Sequence, residues 1–148
     1  MKGYSSEASP DTTSKTLGKD LTLSLKKTVE VCNYVRGMRC DVAKELLREV
    51  LDEVRAIPFR RYTGGVGHRP GMGPGRYPRG STEAVLDLIE EAEANAEYKG
   101  LDFESMRIKH IAASKGEIVK GWRPRARGRS TPKNKSKVNL EVILEEIV

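Results

Sequence analysis

Hydrophobic positions first fall into register after Ser24, where Leu25, Val29, Cys32 and Val35 recur at helical spacing until Gly37 interrupts them. The spacing predicts a helix with Ser24 as its N-cap. A cleaner stripe follows. With Asp41 as the cap, Ala43, Leu46, Leu47, Val50, Leu51 and Val54 occupy i, i+3, i+4, i+7, i+8 and i+11, one face of an amphipathic helix. Lys44, Glu45, Arg48, Glu49, Asp52 and Glu53 form the opposite, solvated face. A third helix is expected after Pro78, capped by Ser81 and ended by Gly100, burying Val85, Leu88, Ile89, Ala92 and Ala96. Its small alanines allow a close approach, most simply by another helix.

The period then changes to two. Met106, Ile108, His110 and Ala112 alternate with Arg107, Lys109, Ile111 and Ala113, and Val138, Leu140, Val142 and Leu144 alternate with Asn139, Glu141, Ile143 and Glu145. "LTLSL", from Leu21, is a candidate third strand. The expected fold class is α+β: three helices packed on a small antiparallel sheet, with a long basic β-hairpin extending from the body. His110 shares the apolar side of its strand, so a hydrogen-bonded structural histidine is expected there. Antiparallel pairing of Met106–Lys120 with Lys137–Val148 makes residues from about 112 to 140 one hairpin. A dozen residues per arm reach about 40 Å, against a radius of gyration of about 15 Å for a globule of this length. The arm should overhang its own body.

Charge explains why such an arm would exist. The chain of 148 residues is one domain in size and carries net charge +6. Residues 55–80 hold six Arg and no acid, and residues 115–137 hold nine Lys or Arg against Glu117 alone. These two segments contribute +14 and leave −8 for the remainder of the chain, so an acidic body bears two basic segments. Along the second, Arg123, Arg125, Arg127 and Arg129 fall on alternate positions, and Lys133, Lys135 and Lys137 repeat the beat, which is strand spacing. Like charges at the tip of an isolated ribbon repel, so the ribbon should be flexible when free and ordered when bound.

Candidate anion-binding residues are Arg60, Arg61, Tyr62, His68, Arg69, Arg76, Tyr77 and Arg79 in the Gly/Arg-rich loop 55–80. In the hairpin they are Lys115, Lys120, Trp122, Arg123, Arg125, Arg127, Arg129, Lys133, Lys135 and Lys137. Guanidinium groups bond phosphates, and interleaved rings, Phe59 included, stack on bases. "GRYPRGST", Gly75–Thr82, nearly spells a nucleotide-hydrolase phosphate loop, but its lysine is replaced by Ser81 and no buried strand leads into it. Neither basic segment holds an acid–base pair or a nucleophile set, so a binder and not an enzyme is expected, with no small-molecule substrate and no cofactor. Two cysteines and two histidines supply no metal set. The polar N-terminus and the lack of long apolar runs predict an intracellular protein without membrane contact. Residues 1–19 read as a variable extension and 20–148 as the domain. The rival class is a free-standing nucleic-acid-binding regulator that uses the ribbon in a groove.

Five stretches add a resemblance: Ile57–Tyr62, Gly67–Pro78 (GHRPGMGPGRYP), Ala92–Asp102 (AEANAEYKGLD), Ile108–Gly116 (IKHIAASKG) and Gly121–Pro132 (GWRPRARGRSTP). In this order they resemble the ribosomal large-subunit protein family L-twenty-two, archaeal type, over roughly residues 18–147. The resemblance implies a body on ribosomal RNA near the polypeptide exit tunnel, touching neighbouring ribosomal proteins and helping to assemble the RNA domains. It also implies a hairpin tip, Arg123, Pro124, Arg125, Ala126, Arg127, Gly128, Arg129, Ser130 and Thr131, that forms part of the tunnel wall beside the nascent polypeptide.

Overall fold

The computed structural model describes residues 3–147. Met1, Lys2 and Val148, which the expected extension and last strand include, lie outside the described residues. In chain order the elements are β1 (Thr13–Leu21), α1 (Leu25–Val35), α2 (Cys40–Leu51), β2 (Ile57–Pro58), β3 (His68–Arg69), β4 (Gly73–Arg76), α3 (Arg79–Tyr98), β5 (Met106–Val119), β6 (Trp122–Pro124), β7 (Ser130–Pro132) and β8 (Lys135–Glu146). The main sheet has the order β1-β8-β5, antiparallel throughout. Helices cover one of its faces, α3 against β1, α1 against β5 and α2 against α3. The expected α+β class is what the chain adopts.

α2 and α3 bury most of the stripe their periods predicted, whereas α1 is turned: of its predicted stripe Cys32 and Val35 are buried, Leu25 and Val29 are half-buried, and Thr28, Glu30 and Val31 are buried in their place. Val31, Cys32 and Val35 of α1, Ala43, Leu46, Leu47 and Val50 of α2, and Val85, Leu88, Ile89, Ala92 and Ala96 of α3 meet Ile108, Ile111, Leu140, Val142 and Leu144 of the sheet in one core. Emptying such a site, as in Leu47→Ala, typically costs about 2–5 kcal/mol. The ends of the helices differ from expectation. Asp41 lies inside the first turn of α2, because the Arg39 carbonyl already accepts from the amide of Ala43. The helix also stops at Leu51, Glu53 turns left-handed at φ 60°, and Val54 is left 75% exposed instead of completing the stripe. Ser81 is no cap either. The Pro78 carbonyl takes the amides of Ser81 and Thr82, α3 begins at Arg79, and the buried Ser81 hydroxyl lies 3.0 Å from that of Thr28. At the Ala-rich end of α3 the close neighbour is β1, whose Ser14 hydroxyl donates to the Ala92 carbonyl at 2.7 Å.

The third strand is displaced too. It runs over Thr13–Leu21 and not over "LTLSL", so residues 13–19 of the expected extension form an edge of the sheet. Its positions toward α3, Ser14 and Thr16, are polar, and Thr13 is buried on the other side against Ser9, which is why apolar alternation missed it. In β5 a bulge between Ile108 and His110 inserts Lys109 and reverses the alternation. Ile111 therefore joins the core, and His110 turns to the other face of the sheet, correcting the expected placement of that histidine.

Candidate nucleic-acid interface

The hairpin is built in two pieces. β5 and β8 pair out to Val119 opposite Lys135, and β6 and β7 then pair Trp122 with Pro132, Arg123 with Thr131 and Pro124 with Ser130. At the joint the Lys133 amide donates to the Gly121 carbonyl at 2.6 Å, while a Cβ on Gly121 would lie 2.9 Å from the Lys133 carbonyl oxygen. Only glycine lets the arms approach so closely. The tip is a turn: Arg125 donates its amide to the Arg129 carbonyl, and Arg127 and Gly128 take left-handed φ of 57° and 67°. The alternate-position arginines therefore do not line one strand. Arg123 alone lies in β6, Arg127 sits at the apex, and Arg125 and Arg129 flank it. From Ser114 to Ser136 the side chains are exposed except for half-buried Gly116, Gly121 and Thr131, and Trp122 is 70% exposed. None of the hairpin cations from Lys115 to Lys137 forms an ion pair among the described residues; Arg125 reaches only the Thr131 hydroxyl, at 3.3 Å.

At the hairpin root both outer strands bulge against β8, β1 opposite Asn139 and β5 opposite Lys137. β1 skips between Gly18 and Leu21, and β5 between Lys115 and Ile118. Asp20, at φ 52°, donates its amide to the Asn139 side-chain oxygen at 2.9 Å and accepts the Glu117 amide at 3.0 Å. A Cβ on Gly116 would lie 2.7 Å from the Asp20 carboxylate. β1 ends just beyond this clamp and the two-stranded arm continues alone.

The loop 55–80 is more ordered than its composition suggests, because β2, β4 and β3 make a second small sheet. Its anchor is Glu30 of α1, 1% exposed, whose carboxylate accepts the backbone amides of Arg60 at 3.1 Å, Arg61 at 2.8 Å and Tyr62 at 2.6 Å. That buried acid turns the Arg60 and Arg61 side chains outward. Tyr62 lies half-buried under Lys26 and Arg61, and Tyr77 under Arg69, whose guanidinium is 5.0 Å from the ring centre. Phe59 faces the core and is unavailable for stacking, correcting its inclusion among the interleaved rings. His68 is exposed in β3, Arg76 donates to the Gly65 carbonyl, and Arg79 is paired with Glu53 at 3.0 Å, which lowers its value to an outside anion. The phosphate-loop lookalike is divided between β4 and α3, with Gly75 paired to Pro58 inside the small sheet. Glu30, Asp20, Asn139 and Gly116 escaped the sequence reading; the signal for Glu30 was an acid between the buried Thr28 and Val31 of an amphipathic helix.

One cluster mimics a catalytic set. On the sheet face away from the helices, the Ser5 hydroxyl donates to Glu141, and His110 Nε2 lies 3.0 Å from both Ser5 Oγ and Glu141 Oε1. Acid and hydroxyl share one ring nitrogen, whereas a proton relay needs the acid on the other. The cluster instead ties residue 5 to the sheet, and His110 is the hydrogen-bonded histidine expected. Burial works to raise the Glu141 carboxyl, but bonds from Ser5 and His110 outweigh it and hold the group below the usual carboxylate range. Burial pushes the thiols of Cys32 and Cys40 up to about 12, so both are inert core groups. Among the described residues no His, Cys, Asp and Glu gather as a metal set, and no helix is long and apolar enough to cross a membrane.

The described residues thus combine a small α+β body with a buried core, a cationic ribbon without ion pairs and a cation-edged second sheet, the charge distribution of a protein suited to a polyanion. The family model described as Ribosomal protein L22p/L17e matches residues 16–145, and the chain belongs to that family. It is 46% identical over 144 residues to a protein of Methanopyrus kandleri, covering 95% of this chain and 91% of the relative. Similar proteins occur in Methanococcoides burtonii, 43% identical with 97% and 96% covered, and in Thermoplasma volcanium, 42% identical with 99% and 98% covered. All three relatives are named large ribosomal subunit protein uL22.

Proposed function

We propose that this chain is a structural, rRNA-binding protein of the large ribosomal subunit in the cytoplasm, with ribosomal RNA and neighbouring ribosomal proteins as its partners. Its body sits near the opening of the polypeptide exit tunnel. The hairpin runs inward through RNA, and its tip, Arg123–Thr131, contributes to the tunnel wall beside the nascent polypeptide. By touching RNA on several sides, the protein helps to assemble and hold the RNA domains. The observation that carries this reading is the hairpin: an exposed ribbon of about a dozen residues per arm, hence about 40 Å long, whose cations form no ion pair among the described residues. A ribbon with charges directed to more than one side suits immersion in RNA better than contact with a flat surface or one groove. The loop arginines Arg60, Arg61, Arg69 and Arg76 add a second contact region on the body. The test is sedimentation of the tagged protein from extract through a sucrose gradient, with ribonuclease and high-salt controls. Stoichiometric co-migration with the large subunit through the salt wash is expected. Recovery as free protein or a small complex at the top of the gradient would overturn the reading in favour of a free-standing regulator.

A further inference from the structure

Between the end of α2 and the small sheet lies a half-open cleft of about 390 Å³, of whose lining the RNA-binding reading uses Arg69 and Tyr77. Its mouth holds two apolar side chains in the open, Val54 at 75% and Met72 at 36% exposure. Met72 is held there by the backbone. Gly71 and Gly73 on either side take φ of 77° and 78°, which other residues adopt only with strain. Gly75 beneath has no Cβ, and one built there would lie 2.8 Å from the Met72 sulfur and 3.1 Å from Arg69 Cγ. The bare glycine thus lets both side chains fold down over β4 as walls. The Arg69 guanidinium lies over Tyr77, 5.0 Å from the ring centre, and lines the cleft. Lining the cleft as well are Glu49 and Arg55, joined Oε2 to Nε at 3.2 Å, a carboxylate and a guanidinium with further acceptor and donor positions free.

Resting on that reading, we propose that this cleft takes one unstacked nucleobase of the bound RNA, guanine being the best matched. A flipped base presents two π faces, which suit a planar guanidinium on one side and a polarizable thioether with a valine on the other. The Glu49 carboxylate accepts from guanine N1–H and N2–H, and Arg55 donates to O6. Adenine, cytosine and uracil each offer fewer donors to the carboxylate in that orientation. The attached phosphates stay outside, among the loop arginines.

Kethoxal modification, which reads guanine N1 and N2, tests this on large-subunit rRNA bound to the full chain. One guanine outside the hairpin footprint should be protected by the wild type. Glu49→Ala and Met72→Ser should each re-expose it, leave the hairpin footprint unchanged, and weaken binding up to about tenfold, the scale of one lost base contact. Both positions lie outside the buried core, and unchanged thermal midpoints confirm folded variants. If the RNA binds but the guanine pattern is the same in wild type and variants, the base pocket is wrong while the RNA-binding function stands. If the wild type binds no rRNA, both are wrong.

Discussion

Glu30 shows how one residue can organise a surface it does not itself form. A carboxylate with 1% exposure survives in the core because three backbone N–H groups satisfy it, and those amides belong to the segment that presents Arg60 and Arg61. Glu30→Ala should lower stability by about 2–3 kcal/mol through the orphaned amides, seen as a lower denaturant midpoint. Glu30→Gln, which keeps an acceptor oxygen, should lose less. Glu141 makes a pH-dependent contribution with a defined sign. Its folded-state carboxyl is depressed, so its stabilisation is present above the ordinary carboxylate range and is lost as pH falls through the lower folded value. Amide exchange at Ser5, whose N–H bonds Glu141 at 3.0 Å, should accelerate in that acid window once intrinsic rates are divided out. Glu141→Gln should remove the pH step.

At the scale of elements, the hairpin root is the informative feature. A β1 bulge opposite Asn139, a β5 bulge opposite Lys137, an aspartate in the left-handed region and a glycine packed against Asp20 and Asn139 tie β1 to the arm at the point where three strands become two. Bulges bend strands and raise their twist, so this is where the direction of the arm is set. Gly116→Ala forces a methyl into the Asp20 carboxylate and should cost about 1–2 kcal/mol. Hydrogen exchange provides the check: Asp20 and Glu117 amides lose protection while those of Ile111 and Val142 in the sheet core keep it. If all four change together, the root is simply part of the core and not a separate joint.

For the whole molecule, body and arm are energetically separable. The core cluster contains no residue between Ser114 and Asn139, so replacing residues 120–134 with an Asn-Gly turn should leave the thermal midpoint within a few degrees of wild type. The same deletion removes six cations, Lys120, Arg123, Arg125, Arg127, Arg129 and Lys133. If most of them meet phosphates, the slope of log affinity against log salt should fall by about three to five. Unfolding of the body on deletion would contradict the separation.

Local chemistry was readable wherever a period carried it. The three helices, the stripes of α2 and α3, the two long strands, the α+β class and the two basic segments follow from residue types at fixed spacing, because an amphipathic element must bury its apolar side whatever surrounds it. Residue type also pointed to a binder, since the basic segments hold Glu117 as their single acid and no acid–base pair or nucleophile set. What spacing could not reach depended on partners distant in the chain. β1 is polar on its inward side and is a strand only because β8 offers it hydrogen bonds. His110 changed faces through a bulge of one residue, which flips every later side chain in a period of two. Helix ends moved by two or three residues, set by which carbonyl first closed the ladder. The apparent strand of arginines broke into a turn because a hairpin must reverse somewhere. The anchor at Glu30, the clamp at Asp20 and the cleft beside Met72 each join segments tens of residues apart, and such meetings exist only once the chain has folded.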